Sequence, residues 1–236
     1  MIAALAFLTP LGRAREPDRT TFDWFPLVGA LLGAAVGLVW WGANELWSPL
    51  VAATLAVAAD VALTGALHVD GLADTADGVL PHLDRDRRLA VMAEPDVGAF
   101  GVTAVVLTLG LRIALLASVR PDVALTAALW CASRTLMAVV ARAVPYARAG
   151  EGGLAAAFLG RAPLPVAVLG AALTTALCLL APAIGRTLVA AVALALAGAA
   201  VTALARRRLG GFTGDVLGAA GLIGETVGLL VVAARG

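Results

Sequence analysis

Residues 50–78 read LVAATLAVAADVALTGALHVDGLADTADG. The first part, Leu50–Leu67, is an apolar run long enough to approach the roughly 20 residues that an α-helix needs to cross the hydrocarbon core of a bilayer. The second part, His68–Gly78, carries Asp70, Asp74 and Asp77 and no basic residue. An apolar run that leads straight into a carboxylate-rich stretch predicts a transmembrane helix that delivers polar chemistry to the membrane surface. The spacing i, i+4, i+7 places the three carboxylates on one helical face. Carboxylates so aligned repel one another unless cations sit among them. Hard divalent cations prefer oxygen ligands, and Mg²⁺ is commonly shared between protein carboxylates and substrate phosphates. Gly71 and Gly78 bracket the stripe and allow another backbone or a substrate to come close.

Working outward, the same apolar character fills the chain. Of 236 residues, 61% are hydrophobic and 14% charged, with a mean hydropathy of +0.95. That composition excludes an ordinary soluble domain, whose surface needs more polar residues. Apolar runs at Leu27–Leu46, Leu50–Leu67, Val97–Ser118, Val123–Ala141, Leu164–Ala183, Leu188–Ala205 and Val216–Ala234 predict an all-α polytopic bundle of about seven transmembrane helices, one integral-membrane domain over 1–236. Met1–Leu8 lacks the basic leader and cleavage pattern of a signal peptide and predicts a short interfacial helix.

Every basic residue is Arg. Arg13, Arg15, Arg19, Arg85, Arg87, Arg88, Arg142, Arg148, Arg161 and Arg206–Arg208 crowd the loops on one side, against Arg120, Arg186 and Arg235 on the other. By the positive-inside rule the rich side, which also carries the acidic motif, faces the cytoplasm. A net charge of +1 argues against a nucleic-acid partner. Cys131 and Cys178 sit apart in apolar runs and read as small packing residues.

Three further features carry chemistry. Arg85, Arg87 and Arg88 follow the acidic motif, and Arg can grip phosphate with two parallel hydrogen bonds, although retention on the positive-inside face accounts equally well for some of them. Asp60, Arg112, Arg134 and Glu225 lie within or near the ends of apolar runs, where an ionisable group needs an interior partner. Arg134, beside Ser133, reads as the more functional of the two arginines, Arg112 as the partner of a carboxylate. Asp60, Thr64 and His68 form a polar stripe toward the acidic motif. Finally, Leu209–Gly218, LGGFTGDVLG, is a glycine-dense turn on the same membrane face, and exposed backbone N–H groups in such turns can cradle phosphate.

Taken together these segments resemble the cobalamin synthase family, also called adenosylcobinamide-GDP ribazoletransferases. The resemblance runs through Phe7-Leu8-Thr9, PLVGALLG (26–33), HVDGLADTADG (68–78), RRLAVM (87–92) with Gly98 and Gly101 beyond it, Ser133-Arg134, PYAR (145–148) and LGGFTGDVLGA (209–219). The chain departs from the family pattern at Glu94-Pro95-Asp96, at Arg112 where Lys is usual and at Leu222 where Glu is expected; Glu225 remains. The resemblance implies a Mg²⁺-dependent enzyme of the inner membrane. It implies transfer of cobinamide phosphate from adenosylcobinamide-GDP to α-ribazole or its 5′-phosphate, with release of GMP.

On this reading Asp70, Asp74 and Asp77 are the metal ligands. Asp215 is a catalytic base or a further ligand, and His68 an alternative base of near-neutral pKa. Arg85, Arg88, Arg134, Arg148, Thr213 and Gly214 are the candidates to bind substrate. Membrane lipid surrounds the chain, and Gly29, Gly33 and Gly37 offer a close-packing stripe that suits a neighbouring span or a second subunit. Two other classes fit less well. A CDP-alcohol phosphotransferase would carry an Ala-Arg pair after Gly71 and a different aspartate spacing, and a corrinoid transporter would carry helices broken symmetrically about the midplane.

Overall fold

The computed structural model describes residues 1–10, 18, 20–148 and 162–234. Arg13, Arg15, Arg19, Arg161 and Arg235, used in the orientation argument, lie outside the described residues. The helices are α1 (Ile2–Leu8), a 3₁₀ turn (Thr21–Trp24), α2 (Phe25–Leu46), α3 (Pro49–Leu63), α4 (Leu67–Val79), α5 (Arg85–Val91), α6 (Ala99–Ser118), α7 (Val123–Ala143), α8 (Leu164–Leu180), α9 (Ile184–Leu209) and α10 (Gly214–Ala233). Among the described residues there is no strand, only an isolated bridge between Tyr146 and Phe212. The protein is a multi-pass helical membrane protein. Five helical segments are long and apolar enough to cross a bilayer: Thr21–Leu46, α6, α7, α9 and α10. The bent pair α3–α4 adds a sixth if taken as one span. The remaining expected span, α8, has 17 residues, short of the usual crossing length.

The apolar run that begins at Leu50 does not continue as one helix to Leu67. It breaks at Thr64-Gly65-Ala66, and α4 leaves α3 at 86°. The cause is local. Thr64 Oγ1 turns back to donate to Asp60 O at 2.8 Å. Gly65 and Ala66 both take left-handed backbone, with φ of 58° and 60°. That conformation ends a right-handed helix, and it is sterically costly for Ala66. This break frees α4 to pack along α10 and α6 rather than to prolong α3. Only one such broken pair occurs among the described residues.

α7 is the centre of the bundle, with 72% of its apolar window buried, whereas α6 and α9 bury 28% each. Their outer faces present Val106, Leu107, Val192 and Leu196, the surface expected of lipid-facing helices. In lipid, helices associate through close packing of small residues rather than by expelling water. The Gly29–Gly33–Gly37 stripe of α2 does this against α7. A Cβ at Gly33 would lie 2.7 Å from Trp130 Cβ, and one at Gly37 would lie 2.9 Å from Val123 Cα. The stripe is therefore covered within the chain. At the N-terminus, α1 docks through Phe7, which meets Phe22 and Phe25 at 6.0 and 5.7 Å between ring centroids.

Candidate active site

α4 meets α10 where glycines remove the obstruction between them. A Cβ on Gly71 would come 2.7 Å from Asp215 O, and one on Gly218 would come 3.1 Å from His68 Cα. The crossing sets Asp215, in the first turn of α10, beside the acidic face of α4. Thr213 caps that turn: its Oγ1 accepts from Val216 N at 3.3 Å and donates to Asp215 Oδ2 at 3.1 Å. Gly214 faces open space, since a Cβ there would meet nothing within 4 Å.

Asp74 is half-buried on α4 among the negative charges of Asp215, Asp70 and Asp77, with Arg148 opposing. Arg148 acts electrostatically on Asp215 as well. So Asp70, Asp74, Asp215 and Arg148 form one charged cluster whose carboxylates lack enough positive charge. Among the described residues no three His, Cys, Asp or Glu side chains stand converged as a ready metal cage.

Asp77, predicted as a third ligand, is placed differently. Its two oxygens accept from Gly98 N at 2.7 Å and Gly101 N at 2.9 Å, so it caps the N-terminus of α6, where a negative charge is favoured. Gly98 and Gly101 are glycines for the same reason: a Cβ on either would collide with the Asp77 carboxylate.

Among the predicted phosphate-binding arginines only Arg148 stands with the carboxylates. Its Nη2 donates to Leu89 O at 3.2 Å. Arg85 donates from Nε to Leu209 O and from Nη2 to Ala147 O, both at 2.8 Å. It thereby clamps the PYAR loop against the glycine-dense turn, which also pair through Ala147 N to Phe212 O at 2.8 Å and Phe212 N to Pro145 O at 2.9 Å. Arg88 is buried and donates to Gly78 O and Val79 O at 2.8 and 2.7 Å, satisfying the carbonyls at the end of α4.

Arg134 is buried within an ionic network. It pairs with Glu225, which pairs with Arg112 at 3.0 Å; Arg112 pairs in turn with Asp60 at 2.8 Å. Asp60 accepts from Trp130 Nε1 at 2.8 Å, and the Arg112 guanidinium lies 5.0 Å from the Trp130 ring centroid. All of these side chains are buried. Two guanidiniums and two carboxylates balance, so the network is neutral, which is what lets charge persist at this depth. Arg134 Nη2 reaches His68 Nδ1 at 3.3 Å. An arginine has no acceptor, so Nδ1 must supply the lone pair. That ring nitrogen cannot also take up a proton, and His68 is a poor candidate for the base. The sequence pointed to Asp60, Arg112, Arg134 and Glu225 as needing partners. It did not point to Trp130, whose only signal is its place one helical turn before Arg134.

A family model described as cobalamin-5-phosphate synthase matches residues 1–233. The chain belongs to the cobalamin-5-phosphate synthase family. It is thus a transferase. Curated relatives bear the name adenosylcobinamide-GDP ribazoletransferase. The one from Bradyrhizobium diazoefficiens is 41% identical over 241 residues, covering 98% of this chain and 91% of its own. The one from Azorhizobium caulinodans is 42% identical over 234 residues, covering 92% and 88%. The one from Roseiflexus sp. is 36% identical over 236 residues, covering 96% and 86%. No solved structure matches the chain. Segments 68–78 and 209–219 cross at Gly71 and Asp215.

Proposed function

We propose that this protein transfers the cobinamide-phosphate group of adenosylcobinamide-GDP to a hydroxyl of α-ribazole or its 5′-phosphate and releases GMP, at the cytoplasmic face of the inner membrane. The observation that carries the reading is the meeting of Asp70, Asp74 and Asp215 with Arg148 at the crossing of the two motif segments. The relatives' names supply the substrates.

In the reaction the acceptor hydroxyl oxygen bonds to the phosphorus next to the cobinamide. The bond from that phosphorus to the bridging oxygen breaks, and GMP leaves with the electron pair. The hydroxyl proton passes to Asp215, which Thr213 orients. Arg148 faces the phosphates from the PYAR loop. Asp70 and Asp74 are the residues that would hold Mg²⁺, and the crowding of Asp74 by Asp215, Asp70 and Asp77 marks a place where added positive charge is favoured. When bound, the cation neutralises charge on the pyrophosphate. Asp77, Arg85 and Arg88 keep the surrounding segments in place.

The test is release of GMP by purified protein given adenosylcobinamide-GDP and α-ribazole, with Mg²⁺ and with EDTA. We expect release only with the metal. Full activity in EDTA would remove the metal assignment. Corrinoid movement into liposomes without GMP release would make the protein a transporter.

A further inference from the structure

His68 has two ring nitrogens, and the structure accounts for one. Nδ1 faces Arg134 Nη2 at 3.3 Å, the ring's only hydrogen bond among the described residues. Because the guanidinium can only donate, the neutral ring must carry its proton on Nε2. The ring is 6% exposed and lines a cavity of about 90 Å³ with Asp215, Gly218, Met137, Phe25 and Phe7. His68 and Asp215 are the only ionisable groups in that lining; the other walls are apolar side chains and glycine. An N–H with no protein partner that opens into a small, mostly apolar cavity beside a carboxylate is a group able to take an acceptor oxygen.

We propose that His68 is a fixed hydrogen-bond donor, offering Nε2–H to a substrate oxygen in the cavity it shares with Asp215, and that Arg134 sets this tautomer. The reading rests on the proposed reaction, in which Asp215 takes the acceptor's proton. It assigns His68 to holding a phosphoryl or ribose oxygen in line, and it assigns Arg134 to positioning His68. Glu225, Arg112 and Asp60 keep Arg134 there: without Glu225 the guanidinium would have no anionic partner. The volume is that of about three waters, enough for the hydroxyl end of an acceptor but not for its aromatic base.

The chain has two histidines, so ¹⁵N-histidine labelling gives a simple spectrum, and the exposed His82 is assigned through H82Q. We expect His68 to show an unprotonated Nδ1 and a protonated Nε2, and the Nε2–H resonance to move when α-ribazole is added. Glutamine places its amide N–H near the position of Nε2, whereas asparagine places its amide near Nδ1. H68Q should therefore keep kcat within about tenfold of the unaltered protein. H68N should lose about 10²-fold in kcat with little change in KM, the size expected for removal of one preorganised donor. A protonated Nδ1 would overturn the proposal, and so would H68N turning over as fast as H68Q, since a merely structural histidine is served better by the residue that still faces Arg134. If neither variant inserts, the tautomer and the α-ribazole response of the unaltered protein still decide. A chain that releases no GMP overturns the reaction itself, and the tautomer measurement stands apart from that failure.

Discussion

Asp74 and Asp77 are three residues apart on α4, and their surroundings give them opposite tasks. Asp74 is crowded by Asp215, Asp70 and Asp77, so its negative charge is held against the repulsion of its neighbours. Asp77 accepts two backbone amides and is satisfied without any cation. Asp74→Ala should lower the rate of GMP release by about 10²–10³-fold, as for other preorganised electrostatic groups, with a melting temperature unchanged or raised, because a repulsive charge has gone. Asp77→Asn should instead lower stability by about 1.5–3 kcal/mol, the range for a hydrogen bond to a charged group, since its amide cannot accept from both glycine N–H groups equally well. Thermal unfolding in detergent beside the GMP assay separates the two. Equal losses of stability in both variants would show that the division of roles is wrong.

α4 owes its place to neighbours on three sides. The left-handed break at Gly65-Ala66 turns it away from α3, the glycines at 71 and 218 admit α10, and the Arg134–His68 contact ties it to α7. The neutral chain Asp60–Arg112–Glu225–Arg134 joins α3, α6, α10 and α7. Glu225→Gln leaves two buried guanidiniums to share the Asp60 carboxylate. Removing one partner of a buried pair costs about 3–5 kcal/mol, so this variant should melt far below the unaltered protein; an unchanged melt would mean that water or lipid headgroups reach the network. Along the same face of α7, Gly33→Leu drives a side chain into Trp130 and Thr126 and should lower stability by about 1–3 kcal/mol through overpacking, with no change of oligomeric state by light scattering. Loss of a dimer with an intact monomer melt would restore the stripe to an interface between subunits.

Across the bundle, polar chemistry gathers at one end. The carboxylate cluster, the α5 arginines, the PYAR loop and Arg206–Arg208 lie near one another, as the Arg85 bonds to Leu209 O and Ala147 O show. Arg120 follows α6 at its C-terminal end, a full 20-residue helix away from the Asp77 contact. The two native thiols are buried, so introduced cysteines can be read without background. A membrane-impermeant maleimide should label His82→Cys in inside-out vesicles and Arg120→Cys in right-side-out vesicles. Labelling of both from one side would reverse the topology argued from the arginines.

The helical, multi-pass class was legible in the chain, because hydropathy over about 20 residues is a local property; the break of the second expected span at Gly65-Ala66 and the shortness of α8 were not. The motifs at 68–78 and 209–219 also announced themselves. Which carboxylates act together was not legible. Helical spacing put Asp77 with Asp70 and Asp74, but the glycine N–H groups at 98 and 101 are distant in sequence and claim it. A guanidinium's fork suits phosphate and carboxylate or carbonyl oxygen alike, so the sequence did not show that Arg88 meets the carbonyls of Gly78 and Val79 or that Arg134 meets Glu225. The chain wrote its elements and their polarity locally. The candidate site forms only where α4 and α10 cross, and that crossing depends on a backbone break and two glycines whose meaning appears when distant segments come within van der Waals contact.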